Sequence, residues 1–241
     1  RDGSIHIPWT LREAILQRAA ALQETAQQVL RLAAVVGRRV ARGVLVALAT
    51  RSDLTEEVAL DGLEVCVRAR LLRDARGDAY QFTHDLIHEV VLSDLGTARR
   101  VLLHRRVGEV LEATIPLPAI SDLAYHYTQS DEHEKAVFYL EQVGDAARAR
   151  YAHAEAASAY HEVIIRLEML DRKVQANTVY EKLGIMLARQ TRFDEALATL
   201  ELAREAYRLE DELEGELRVL AQIGRIHFWR GTSQEGLAQL L

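Results

Sequence analysis

The chain has 241 residues, 49% of them hydrophobic, and carries 30 basic against 36 acidic residues for a net charge of −6. That length allows a sizeable core and two compact units, and no apolar run approaches the ~20 residues needed to span a bilayer. The single cysteine, Cys66, cannot form an internal disulfide, which excludes a disulfide scaffold and points to a cytoplasmic setting.

The charge is unevenly placed. Residues 1–118 hold 16 basic and 15 acidic residues, a net of +1, and residues 119–241 hold 14 and 21, a net of −7. The acidic half is a poor surface for nucleic acid. The expected boundary falls at "TIPLPAISD", where Pro116 and Pro118 interrupt helical periodicity.

Residues 1–22 read as a linker with an arm helix. "RDGSIHIPWT" has no apolar stretch of a secretory leader. The opening on Arg1 and the close on "SQEGLAQLL" lead us to expect an excerpt from a longer polypeptide. Residues 23–115 then read as a winged helix-turn-helix. A helix over 24–36 places Val29, Leu32, Ala33 and Val36 at helical spacing, with Gly37 just past its end. "RGVLVALAT" is a short apolar helix. The helix after it is expected to be capped by Ser52 or Asp53 and to bury Leu60, Leu63, Val67 and Leu71. "LLRDARGDAYQF" is a hairpin turning at Arg76-Gly77-Asp78, where glycine supplies the positive φ of a tight turn. In a winged helix the helix before the hairpin would read DNA. Here it carries Glu56, Glu57, Asp61 and Glu64, which repel phosphate, so DNA is not the expected partner.

Residues 119–241 read as a tetratricopeptide-like α-solenoid cut off at its end. Gly144, Gly184 and Gly224 recur every 40 residues, and Ala156, Ala196 and Gly236 repeat the interval. Small residues let two helices approach while large ones fill the gap. No proline closes each unit, which implies helices of about 18 residues. Tyr160, Tyr180, His227, Phe228 and Trp229 are candidates for contacting a protein or small-molecule inducer, with inter-helix packing as the alternative for each. Arg99, Arg100, Arg105 and Arg106 are candidates for inter-domain contacts.

The sequence holds no G-x-x-x-x-G-K-[ST], H-E-x-x-H or G-x-S-x-G. We therefore expect no catalytic residues, no metal and no cofactor bound by this segment alone. "QFTHDLIHEVV" is the remaining concentration of chemistry. His84 and His88 stand four apart, but two histidines on a helix need a further ligand to hold zinc. Thr83-His84-Asp85 more simply marks a strand-to-helix transition, with Thr83 or Asp85 near the cap.

An apolar residue followed by His-Asp-Leu at the end of a winged helix resembles the nucleotide-sensing "MHD" motif of STAND-class signalling ATPases, which include the NB-ARC group. "PWTLREAILQRAAALQETAQQVLRLAAVVG" and "ARRVLLHRRVGEVLEA" look like bacterial members, the LuxR-type activators similar to the maltose-regulon regulator. Thr83 departs from the usual Met. The resemblance implies a P-loop domain upstream that binds ADP or ATP with Mg. It also implies that His84 reaches the β-phosphate of ADP and that Asp85 fixes the backbone and caps the next helix. On this reading the segment is the sensor of a transcriptional regulator. The rivals are a DNA-binding regulator, a plain protein-interaction scaffold and the regulatory part of a nucleotide cyclase.

Overall fold

The computed structural model describes residues 9–114, 118–232 and 234. Twelve helices and three short strands lie among them, divided into two compact units: Arg1–Ala119 with His126–Asp131, and Ile120–Tyr125 with Glu132–Leu241.

The first unit runs α1 (Trp9–Ala20), α2 (Glu24–Val36), β1 (Arg39–Ala41), α3 (Arg42–Thr50), α4 (Glu56–Arg68), β2 (Leu72–Ala75), β3 (Ala79–Phe82), α5 (Asp85–Asp94) and α6 (Thr97–Glu112). The expected hairpin forms, with Gly77 at φ 77° and Asp78 at φ 54° in its turn. It also gains a third strand. The sheet is antiparallel in the order β1-β3-β2, and Val40 lies opposite Tyr80. Three residues are too few for an alternating pattern to announce β1. The helices, the hairpin and the helix after it follow in the order the sequence led us to expect, with β1 added.

Two local expectations are corrected. Neither Ser52 nor Asp53 caps α4; the Thr55 hydroxyl does, accepting from the Val58 N–H at 3.3 Å. Leu63 and Leu71 are buried as expected, but α4 buries Ala59 and Cys66 in place of Leu60 and Val67, with Gly62 beside them. Gly62 is required by a close approach: a Cβ there would stand 2.8 Å from Val29 Cγ2 on α2. Burial pushes the Cys66 thiol up to about 12, so it is a core residue and not a nucleophile.

The second unit is an array of antiparallel helices. After α7 (Ile120–Thr128), which contributes its first six residues here, come α8 (His133–Ala149), α9 (His153–Met169), α10 (Lys173–Arg189), α11 (Phe193–Leu209) and α12 (Leu213–Arg230). From α8 onward a helix starts every 20 residues, so the 40-residue sequence period is one two-helix hairpin. Four of these helices have 17 residues and α12 has 18. A three-residue linker joins each pair, and its middle residue is always left-handed: Tyr151, Asp171, Thr191 and Asp211, at φ between 53° and 62°. The residue after it donates its N–H five residues back, as Arg192 does to the Leu187 carbonyl at 3.0 Å. This ties off orphan carbonyls at each helix end. The recurring glycines sit where predicted: a Cβ on Gly144 would stand 2.6 Å from Tyr160, and one on Gly184 2.6 Å from Leu200.

Candidate functional site: an exposed histidine in a basic setting

Histidine 84 is built by the end of β3 and the start of α5. The chain leaves the sheet extended, with φ −143° and ψ 142° at His84, and the His84 carbonyl accepts the Ile87 N–H at 3.0 Å to open the helix. His84 is thus the N-cap by backbone geometry, and its side chain makes no cap hydrogen bond. The ring is exposed. His88, one turn on, is held differently: its Nε2 bonds the Ala34 carbonyl at 2.9 Å, and its ring meets Phe82 edge-on at 5.2 Å. The two rings therefore have separate environments, one outward and one against α2. Among the described residues no group of three or more His, Cys, Asp or Glu is arranged to hold a metal.

The position of Asp85 needs correcting. Its carboxylate does not cap α5. It pairs with Arg38, just past α2, at 2.7 Å, and Glu89 approaches the same guanidinium at 3.5 Å. As the first helical residue, Asp85 still places negative charge at the favourable end of the α5 dipole. Thr83, the departure from the resembled motif, has a job of its own. Its hydroxyl donates to the Arg70 carbonyl at 2.8 Å, and Arg18 donates to the Ala69 carbonyl at 2.7 Å. Together they clamp the turn after α4, where Arg70 is left-handed at φ 55°.

These clamps assemble a shallow cavity of about 440 Å³ beside His84, lined also by Arg18, Arg70, Arg73 and Asp74. Three guanidinium groups against one carboxylate make a face suited to an anion. The sequence reading missed all three arginines. Arg18 lies 51 residues from Ala69 in the chain, so no spacing could have joined them, although Arg70 precedes and Arg73 lies within a strand already recognised.

The other singled-out residues are dispersed. Arg105 pairs with Asp131 at 3.2 Å and Arg106 donates to Ser52 Oγ at 3.2 Å, both inside the first unit, while Arg99 is exposed and Arg100 half-buried. In the second unit, Tyr160 is fully buried and its hydroxyl donates to Asp145 at 2.7 Å, so it packs the array and offers no face to a partner. His227 is also buried, with Nδ1 2.9 Å from the Thr232 hydroxyl. Tyr180 bonds Glu168 at 2.8 Å. Phe228 is 72% exposed, and Trp229, at 44%, has the Arg189 guanidinium 5.5 Å from its ring centroid.

The chain is similar to a Signal Transduction ATPase with Numerous Domains (STAND) protein with a tetratricopeptide repeat sensor from Pyrococcus horikoshii, at a TM-score of 0.54 and 14% identity. The match covers 95% of this chain and 35% of that one, so this chain spans about a third of that protein's length. BtubC from P. vanneervenii aligns at a TM-score of 0.38 and 13% identity over 93% of this chain and 87% of that one. No protein-family model and no curated protein matches the chain. The class is that of a mainly helical fold shared with part of a STAND protein: a small sheet-bearing helical unit followed by a tetratricopeptide-like array.

Proposed function

We propose that this chain is the regulatory sensor segment of a STAND-class ATPase. The first unit is a winged helix that senses the nucleotide held by a P-loop domain elsewhere on the polypeptide. The array receives a protein or small-molecule inducer. The observation that carries the reading is His84, uncommitted and exposed at a strand-to-helix corner, beside Arg18, Arg70 and Arg73. An imidazole donor within a cationic surround is complementary to a diphosphate. Contact with ADP would favour one docked arrangement, and loss of that contact would release it, because a ligand shifts a two-state equilibrium only by its differential affinity. ADP and ATP with Mg would belong to the P-loop domain. The segment itself would bind the nucleotide only as a second wall.

The role as a transcriptional regulator, similar to the LuxR-type activators, and a cytoplasmic location are parts of the same proposal. Among the described residues no helix is long and apolar enough to cross a membrane. Direct DNA reading by α4 is disfavoured because Glu56, Glu57, Asp61 and Glu64 are all exposed on it.

The test is His84→Ala in the polypeptide carrying both the P-loop domain and this segment. Nucleotide extracted from the purified variant should contain less ADP, and basal signalling output should rise. Equal ADP content and equal basal output in variant and wild type would sink the assignment.

A further inference from the structure

A second cavity lies in the first unit, walled by residues that take no part in the His84 site. It measures about 360 Å³ and is formed by α2, the turn after α3, and α6. Three arginines reach it: Arg31 from α2, and Arg99 and Arg106 from α6. Their setting differs from that of the arginines in this unit that form ion pairs. Arg38, Arg42, Arg51, Arg68 and Arg105 each pair with a carboxylate. Among the described residues the Arg31 and Arg99 side chains have no hydrogen-bond or ion-pair partner, and the Arg106 side chain is engaged only by the neutral Ser52 hydroxyl.

The wall is held in place before any ligand arrives. Gln28 donates to the Ser52 carbonyl at 3.3 Å, and Arg106 donates to the Ser52 hydroxyl at 3.2 Å. Ser52 itself is only 8% exposed. This chain links α2, the α3–α4 turn and α6 around the cavity and fixes one guanidinium in advance, which lowers the ordering cost of binding. Leu32, Leu102 and Leu103 supply an apolar side. Two exposed carboxylates, Glu24 and Asp53, also line the cavity and form no ion pair with its arginines. They would accept hydrogen bonds from hydroxyl groups and would discourage a polyanion. A volume of this size suits a small molecule.

We propose that this cavity binds a small hydroxyl-bearing molecule through an oxyanion, a phosphate or a carboxylate, gripped by Arg31 and Arg99 with Arg106 as the fixed anchor. The site stands on its own geometry and does not depend on the nucleotide reading of His84.

Calorimetric titration of the 241-residue chain with inorganic phosphate and with lactate, a hydroxyl-bearing monocarboxylate, at constant ionic strength and with chloride as control, tests it. Saturable binding of at least one oxyanion is expected, at about 1 mM or tighter. Binding of phosphate alone identifies a phosphate ligand, and binding of lactate alone a carboxylate. The Arg31→Gln/Arg99→Gln double variant should weaken binding at least about tenfold, since bidentate guanidinium contacts are lost. The Arg73→Gln/His84→Ala variant should change it less than about twofold. No binding beyond chloride, or affinity that survives the first double variant, would overturn the proposal. Loss in the second variant instead would place the anion beside His84 and leave the nucleotide reading standing. Should the first variant fail to fold, phenylglyoxal labelling of the wild-type chain decides the matter. The bound oxyanion should protect Arg31 and Arg99, and unprotected labelling of both counts against the site.

Discussion

Histidine 104 and histidine 126 meet inside the first unit with their Nδ1 atoms 3.0 Å apart, 1% and 3% exposed. Burial, reinforced by the Arg100 charge, lowers His104 to about 4; burial and the neighbouring His104 lower His126 to about 3. One ring donates and the other accepts, and it is burial that disfavours charge on either. The unfolded chain takes up protons as pH falls through about 6.5, while the folded chain resists until about pH 4. Stability from this pair is therefore complete above pH 6.5 and declines as the solution is acidified towards pH 4. Urea midpoints at pH 7.5, 6.5 and 5.5 should fall in that order for the wild-type chain. The His104→Gln/His126→Gln variant should show a shallower fall, and an equal slope in both proteins would refute the account. Nothing in "LLHRR" or "AYHYT" announced this pair, because the partners sit 22 residues apart on separate helices. By contrast, the place of His84 at a strand-to-helix corner was legible in "QFTHDL". Its arginine surround did not, since Arg18 arrives from a helix distant in the chain.

The elements of the second unit show where periodicity succeeds and where it stops. The 40-residue recurrence of small residues located the hairpins because glycine is demanded wherever Tyr160 or Leu200 comes within contact of a neighbouring backbone. The same pattern could not reveal the linker conformation, because the left-handed positions are occupied by Tyr151, Asp171, Thr191 and Asp211 rather than glycine. Threonine is the costliest of these, since its branched Cβ crowds the backbone at positive φ. Thr191 is exposed, and its hydroxyl bonds only the adjacent Gln190 carbonyl. Thr191→Gly should therefore raise stability by about 1 kcal/mol, the scale of the left-handed penalty, measured as a higher urea midpoint with an unchanged slope. A lower midpoint would show that the hydroxyl contact outweighs the backbone strain. The first unit was legible in the same uneven way. Its long helices and hairpin were visible, whereas the three-residue β1 exists only because β3 offers it an edge.

Across the whole array a single arrangement occurs twice. Tyr160 donates to Asp145 at 2.7 Å, Lys182 from the next-but-one helix binds the same carboxylate at 3.2 Å, and the Lys182 ammonium lies 5.6 Å from the Tyr160 ring centroid. One hairpin later, Tyr207 donates to Glu181 at 3.3 Å, Arg218 binds that carboxylate at 3.3 Å, and its guanidinium lies 5.7 Å from the Tyr207 ring. Burial opposes the charge on Asp145, yet the bonds from Tyr160 and Lys182 hold its carboxyl below the usual range. Burial, then the Glu181 charge, pushes the Tyr207 hydroxyl up to about 12. Each group thus joins three helices through one carboxylate, in a stacked fold whose stability is a sum of neighbour terms. Lys182→Met and Arg218→Met should each cost about 1 kcal/mol. The double variant should lose close to the sum, because the two groups share no partner. A double variant no worse than either single one would show that the junctions do not act separately.

The even 20-residue step between helix starts carries a constraint on length. Adding or deleting a few residues between α8 and α12 would turn every later helix out of register with the carboxylate it must meet. The two acid–base pairs each span 37 residues, from Asp145 to Lys182 and from Glu181 to Arg218, while the helix pair itself repeats every 40. This half of the molecule is accordingly built in quanta of one hairpin, and its length is a whole-number choice.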